Sequence, residues 1–188
     1  MKPALTSDDF KRAASLLNCD EAAVRAVCEV EAPRGGFLTD DRPTILFEGH
    51  YFHRLTGGAF DKVAPTISYS TWTRQFYSKT GSGEWDRLTA AIALDRTAAL
   101  KSASWGRFQI MGENYSFCGF DNVQSFVNAM YKDEGAQLDA FVQFVLHRKL
   151  DDELRDKRWA DFAKFYNGPA YAQNKYDAKL ASAYSKFA

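Results

Sequence analysis

A carboxyl group stands where the helical pattern of this chain calls for an apolar side chain. Between Asp20 and Pro33, the residues Val24, Val27, Cys28 and Glu31 recur at i, i+3, i+4 and i+7, the stripe a helix turns toward a core. Burial disfavours the charged form of an acid, and so does the negative end of the helix dipole near a C-terminus. Both effects raise the pKa of Glu31. A carboxylic acid still protonated near neutral pH is what general-acid cleavage of a glycosidic bond requires. The plainer alternative is a frayed helix end at which Glu31 bends into solvent and pairs with Arg34.

Glycosidases place two carboxyls across the scissile bond, one donating a proton and the other serving a water or the sugar cation. Glu48, 17 positions further on, is the natural second group. It ends a segment, Thr44-Ile45-Leu46-Phe47-Glu48, whose period of two puts it on one strand face with Thr44 and Leu46. Equally open is a structural role, with Glu48 bonding backbone donors at a Gly49 turn or pairing with His50. Asp40 and Asp41 are rival second carboxyls, but their Pro-flanked position favours a plain turn.

The elements that must hold these groups are mostly helices. Thr6 and Asp9 form a capping box ahead of Phe10, Ala13, Ala14 and Leu17. Asp20 can cap the helix that carries Glu31, and Pro33, Gly35 and Gly36 end it. Phe37-Leu38 and Thr44–Glu48, joined by a turn at 39–43, read as a short β-hairpin. Gly57, Gly58 and Pro65 mark an irregular region that returns to helix near Glu84, with Trp85, Leu88 and Ile92 on its face. Later stripes are Val123/Phe126/Val127/Met130, Leu138/Phe141/Val142/Val145, Trp159/Phe162/Ala163/Tyr166 and Leu180/Ala183/Tyr184/Phe187, with a stop at Asn167-Gly168-Pro169. About seven helices and one hairpin make an α+β, predominantly helical fold.

Composition narrows the function. At 188 residues, 46% of them hydrophobic, without repeat or linker, one domain over 1–188 is expected. Lys+Arg and Asp+Glu are equal at 24 each, so no basic excess points to nucleic acid. Cys19, Cys28 and Cys118 are too few and scattered for a disulfide framework, and Cys28 reads as a small buried hydrophobe. Neither a signal-peptide core nor an apolar run of roughly 18 residues is present, so synthesis in a cytoplasm is expected, with no membrane span. His50 and His53 lie at i, i+3, but nothing completes a metal site. The four tryptophans, Trp72, Trp85, Trp105 and Trp159, could stack on sugars, but aromatics at helical spacing are more often core, and none is assigned to the site.

In four blocks the chain resembles the N-acetylmuramidase domain of modular phage endolysins. The blocks are Val30-Glu31 with Gly36-Phe37, Arg42–Glu48, Ser104–Gly112, and Tyr166-Asn167-Gly168-Pro169. The resemblance implies a lysozyme-like fold with its hairpin beside the catalytic cleft, and Glu31 as the acid with Glu48 as the second carboxyl. It also implies cleavage of the β-1,4 bond after N-acetylmuramic acid, no cofactor and no metal. The Gly106–Met111 segment resembles the cleft floor of goose-type lysozymes and lytic transglycosylases, which makes Gln109 a sugar contact. By the same resemblance the Tyr166 hydroxyl and Asn167 lie near the acid. The implied partner is the peptidoglycan glycan strand, met by a monomer in the periplasm or wall after release or export from the host cytoplasm. The chain departs from the family at Ala32-Pro33-Arg34, where small polar residues are usual, and at Gly49, where Arg is usual. Two alternatives remain: a lytic transglycosylase on the same fold, and a non-catalytic peptidoglycan-binding module.

Overall fold

Thr6 opens the first helix with a reciprocal cap. Its hydroxyl accepts from Asp9 N at 3.3 Å, and Asp9 Oδ2 accepts from Thr6 N at 2.9 Å. Helix α1 (Ser7–Leu17) then buries Phe10, Ala13, Ala14 and Leu17, the expected stripe. Helix α2 (Glu21–Glu31) buries Val24, Val27 and Cys28 and carries Glu31 as its last residue. Asp20 holds the N-cap position of α2 without a side-chain cap. Its carboxylate instead accepts from Tyr184 Oη at 2.7 Å and pairs with Lys157 Nζ at 2.7 Å, which joins the start of α2 to the end of the chain.

This computed structural model describes residues 2–188, without the side chains of Pro169 and Ala170. Eight further helices follow among the described residues: α3 (Gly49–Thr56), α4 (Gly81–Leu94), α5 (Arg96–Lys101), α6 (Val123–Met130), α7 (Glu134–Arg148), α8 (Asp151–Arg155), α9 (Trp159–Tyr166) and α10 (Tyr176–Phe187). Oxygen-bearing side chains open several of them: Thr80, Asn122 and Asp133 each accept from the backbone N–H of the third residue of α4, α6 and α7. Helices α3, α5 and α8 were not foreseen. Helices α5 and α8, with six and five residues, are too short for an apolar period to repeat. Helix α3, though as long as α6, carries only Tyr51, Phe52 and Leu55 as large apolar side chains, which complete no i, i+3, i+4, i+7 stripe.

The sheet has three antiparallel strands in the order β1 (Ile45–Phe47), β2 (Ala103–Trp105), β3 (Ile110–Met111). The expected pairing of Phe37-Leu38 with the Thr44–Glu48 segment survives only at its turn end. There Phe37 and Pro43 form one bridge, and Leu38 N donates to Arg42 O at 2.8 Å. Beyond it β1 pairs with β2, matching Ile45 to Trp105 and Phe47 to Ala103. Ile45 and Phe47 are buried, and β2, buried along its whole length, completes that layer as Phe37-Leu38 does not. Strands β2 and β3 are themselves a tight hairpin. Gly106 stands at its corner with φ +70°, where a Cβ would meet Gln137 Cδ at 2.5 Å.

Helix α2 runs through the middle of the molecule, against α1, α8, α10 and the turn after β2. Aromatic side chains supply much of the packing: Phe47, Phe108, Phe126, Phe141 and Phe162 are fully buried, with Phe108 stacked on Phe141 at 4.4 Å. Both carboxyls therefore sit at ends of elements whose other sides are held by core.

Candidate active site

Glu31 is the last residue of α2, where the helix leaves the core and meets a cleft of about 690 Å³. It remains partly open to that cleft, yet protein surrounds the carboxyl closely enough to desolvate it. Burial pushes its pKa up to about 7; a hydrogen bond from Asn167 and the charge of Lys179 pull the other way without cancelling it. Asn167 Nδ2 donates to Oε1 at 2.7 Å. Oε2 has no hydrogen-bond partner among the described residues. Arg34 is exposed and makes no ion pair with Glu31, so the frayed-end alternative does not describe this carboxyl.

Behind Glu31, Arg107 fixes the end of α2. Its Nη1 donates to Ala32 O at 2.6 Å and its Nε to Cys28 Sγ at 2.6 Å. Cys28 is thus a buried hydrophobe that also accepts a hydrogen bond, and burial raises its thiol pKa to about 11. This brace was not read from sequence, because nothing at position 107 breaks a periodic pattern.

Glu48 follows β1 directly, and its N–H donates to Ser102 O at 2.9 Å, extending the ladder by one rung. The alternation holds: Ile45 and Phe47 point into the core, while Leu46 and Glu48 line the cleft. Glu48 occupies the N-cap position of α3 without a side-chain cap. Its Oε2 accepts from Tyr77 Oη at 2.7 Å and lies 3.2 Å from His50 Nδ1. Burial, and then the charge of Glu48, raise the pKa of Tyr77 far above that of an ordinary phenol, so it remains a donor. Tyr77 was missed in the sequence, since its irregular segment carries no period. Gly49 has a local reason: a Cβ there would meet Ile67 O at 2.6 Å and the Tyr69 ring.

Glu31 and Glu48 line the same cleft, and the Tyr176 hydroxyl responds to both, its pKa raised by burial first and then by each carboxylate. Gln109 lies on the floor, but its amide is used by the fold. Oε1 accepts from Ser104 Oγ at 2.7 Å, and Nε2 donates to Gly106 O at 2.9 Å and Thr44 O at 3.3 Å. Tyr166 also lines the cleft, with its hydroxyl donated to Phe108 O at 2.6 Å and its ring stacked on Phe162. Asn167 Oδ1 is buried with no hydrogen bond among the described residues, an acceptor whose capacity is unused.

The rival groups lie elsewhere. Neither Asp40 nor Asp41 lines the cleft, and the Arg42 side chain holds the Asp40 carboxyl below the usual range. His53 pairs with Asp61 at 2.8 Å. No cluster of three His, Cys, Asp or Glu side chains among the described residues is arranged to hold a metal ion. Trp85 and Trp105 are core, edge to face at 5.7 Å, and Trp159 packs on Tyr184. Trp72 departs from the core reading: it is 46% exposed and lines the cleft. It stands on no helical stripe, the one feature of the sequence that sets it apart from Trp85 and Trp159.

A family model described as Muramidase, N-acetylmuramidase, matches residues 20–188. The crystal structure of the Burkholderia AP3 phage endolysin is similar at 44% sequence identity and a TM-score of 0.85, over 98% of this chain and 70% of that one. No curated protein matches the chain.

Proposed function

The chain belongs to the N-acetylmuramidase family, and from that membership and the cleft we propose a lysozyme-type hydrolase of the β-1,4 bond after N-acetylmuramic acid. At the coarser level it is a glycoside hydrolase that acts on peptidoglycan. One observation carries the finer reading: a desolvated carboxyl with a pKa of about 7 faces a cleft whose lining also includes the Glu48 carboxyl. Glu31 protonates the leaving oxygen through Oε2. Glu48, with Oε2 held by Tyr77, turns Oε1 to a water or to the oxocarbenium-like sugar.

The other proposed site residues act around this pair. Gln109 shapes the floor through its three hydrogen bonds and retains one acceptor lone pair toward the sugar. Tyr166 fixes the end of α9, and Asn167, on the cleft lining beside the substrate, holds Glu31 through Nδ2. On this reading residues 1–188 act as one catalytic domain, as a monomer, on glycan strands in the periplasm or wall. Among the described residues no helix is long and apolar enough to cross a membrane.

Digestion of purified peptidoglycan in heavy-oxygen water, followed by mass spectrometry, tests the reading. A muramidase leaves ordinary reducing muramic acid ends carrying one labelled oxygen. Unlabelled anhydro ends, lighter by one water, would replace it with a transglycosylase in which the sugar's own hydroxyl closes the ring. No product at all would leave a binding module.

A further inference from the structure

A buried ion pair on α4 reaches both segments that carry the Glu48–Tyr77 hydrogen bond. Glu84 is 3% exposed, and its carboxylate is spent on two backbone donors. Oε2 accepts from Phe47 N at 2.9 Å, one residue before Glu48. Oε1 accepts from Ser78 N at 2.6 Å, one residue after Tyr77. Arg87 Nη1 donates to Glu84 Oε2 at 2.9 Å and to Phe47 O at 2.8 Å, so both the N–H and the C=O of Phe47 are held. The arginine also lies over the Phe47 ring at 5.2 Å and the Tyr77 ring at 5.8 Å.

Taking a carboxylate and a guanidinium into a core is costly, and an apolar pair of similar size often stabilises a fold more. Here the pair does what an apolar pair cannot. It ties a strand end to an irregular segment that has no ladder of its own. The two ties flank the two residues that meet at 2.7 Å in the cleft.

We propose that Glu84, braced by Arg87, is a positioning residue that fixes the Tyr77–Glu48 hydrogen bond and thereby aims Glu48 across the cleft. This rests on the catalytic role proposed for Glu48. Glutamine at position 84 offers one acceptor and places an N–H₂ against the other backbone donor, so one tie is lost while the side-chain volume is kept. The glycan-contacting residues are untouched, so the loss belongs in kcat rather than KM.

A double-mutant cycle with Tyr77→Phe separates positioning from general stability, since residues acting through one contact are not additive. The full-length protein and variants are assayed on solubilised peptidoglycan, with melts to confirm folding. Glu84→Gln is expected to lower kcat about fivefold or more at unchanged KM in the wild-type background, but less than about twofold when Tyr77 is already Phe. A loss that multiplies with that of Tyr77→Phe, a loss confined to KM, or an unchanged kcat in Glu84→Gln overturns the proposal. Should Glu84→Gln fail to fold, Arg87→Lys enters the same cycle under the same criteria, because it keeps the buried charge and loses the planar guanidinium whose Nη1 joins Glu84 to Phe47 O. Lowered kcat in Glu48→Gln and Tyr77→Phe, with wild-type kcat in Glu84→Gln, removes the positioning role alone. Wild-type kcat in both Glu48→Gln and Tyr77→Phe removes the catalytic role of Glu48, and this inference with it.

Discussion

Asn167 Nδ2 donates a 2.7 Å hydrogen bond to Glu31 Oε1, linking the C-cap residue of α9 to the last residue of α2. Burial raises the pKa of this acid, and the amide donor, which favours the charged form, limits the rise. The acid is therefore set by two opposed environments, contributed by parts of the chain far apart in sequence.

Asn167→Ala removes the opposing donor and leaves desolvation. The carboxyl of Glu31 should then titrate at a pKa above its present value of about 7. Carbon-13 NMR of the labelled carboxyl in both proteins checks this, and a lower or unchanged midpoint in the variant contradicts it.

Stability should depend on pH through the same group. In the native state Glu31 holds its proton to about pH 7, while the unfolded chain releases it near the ordinary value of 4.5. Between these values the native state binds more protons, so stability falls as pH rises across that window and the loss is complete above it. The cost at high pH is roughly 3 kcal/mol. Glu31→Gln, which cannot ionise and still offers an acceptor to Asn167, should melt higher than wild type at pH 8, with the difference shrinking toward pH 5. A variant that melts lower than wild type at pH 8 tells against a buried, neutral acid.

Glu48→Gln should reduce turnover by about 10–10² and by less than Glu31→Gln, since a loosely held water can still react. Tyr77→Phe leaves Glu48 in place and removes the donor on Oε2, so it should show a smaller loss of the same kind. Steady-state kinetics on solubilised glycan decides; full activity in Glu48→Gln reduces that residue to the end of a strand.

Trp72 offers the cleft an aromatic face while Arg74 lies 5.6 Å from its ring centroid. Trp72→Ala should weaken binding to insoluble peptidoglycan about tenfold, the equivalent of 1.4 kcal/mol, as read by co-sedimentation. Wild-type co-sedimentation would return Trp72 to the uncommitted surface.

Much of this site was legible in the chain because Glu31 and Glu48 stand at defined places in periodic patterns. Glu31 breaks a helical stripe, and Glu48 shares a strand face with Leu46, so each could be placed before any contact was known. The partner of β1 was not legible in the same way. Ala103-Ser104-Trp105 is short and wholly buried, without the alternation that marks a half-exposed strand. Tyr77, Trp72 and the Glu84–Arg87 pair were hidden for a related reason. Residues 57–80 carry no repeat, and a long-range tie such as Glu84 to Ser78 and Phe47 leaves no mark on spacing. Gln109 was recognised by its segment, yet its hydrogen bonds to Ser104, Gly106 and Thr44 depend on the hairpin closing around it.

The identity of the acid is tested most directly by the turnover of Glu31→Gln on purified peptidoglycan, measured as reducing ends released by protein confirmed as folded. The expected result is a fall of about 10²–10⁴ or more, with wall binding retained. Turnover within about tenfold of wild type, a barrier change of only 1.36 kcal/mol, would contradict Glu31 as the group that protonates the leaving sugar.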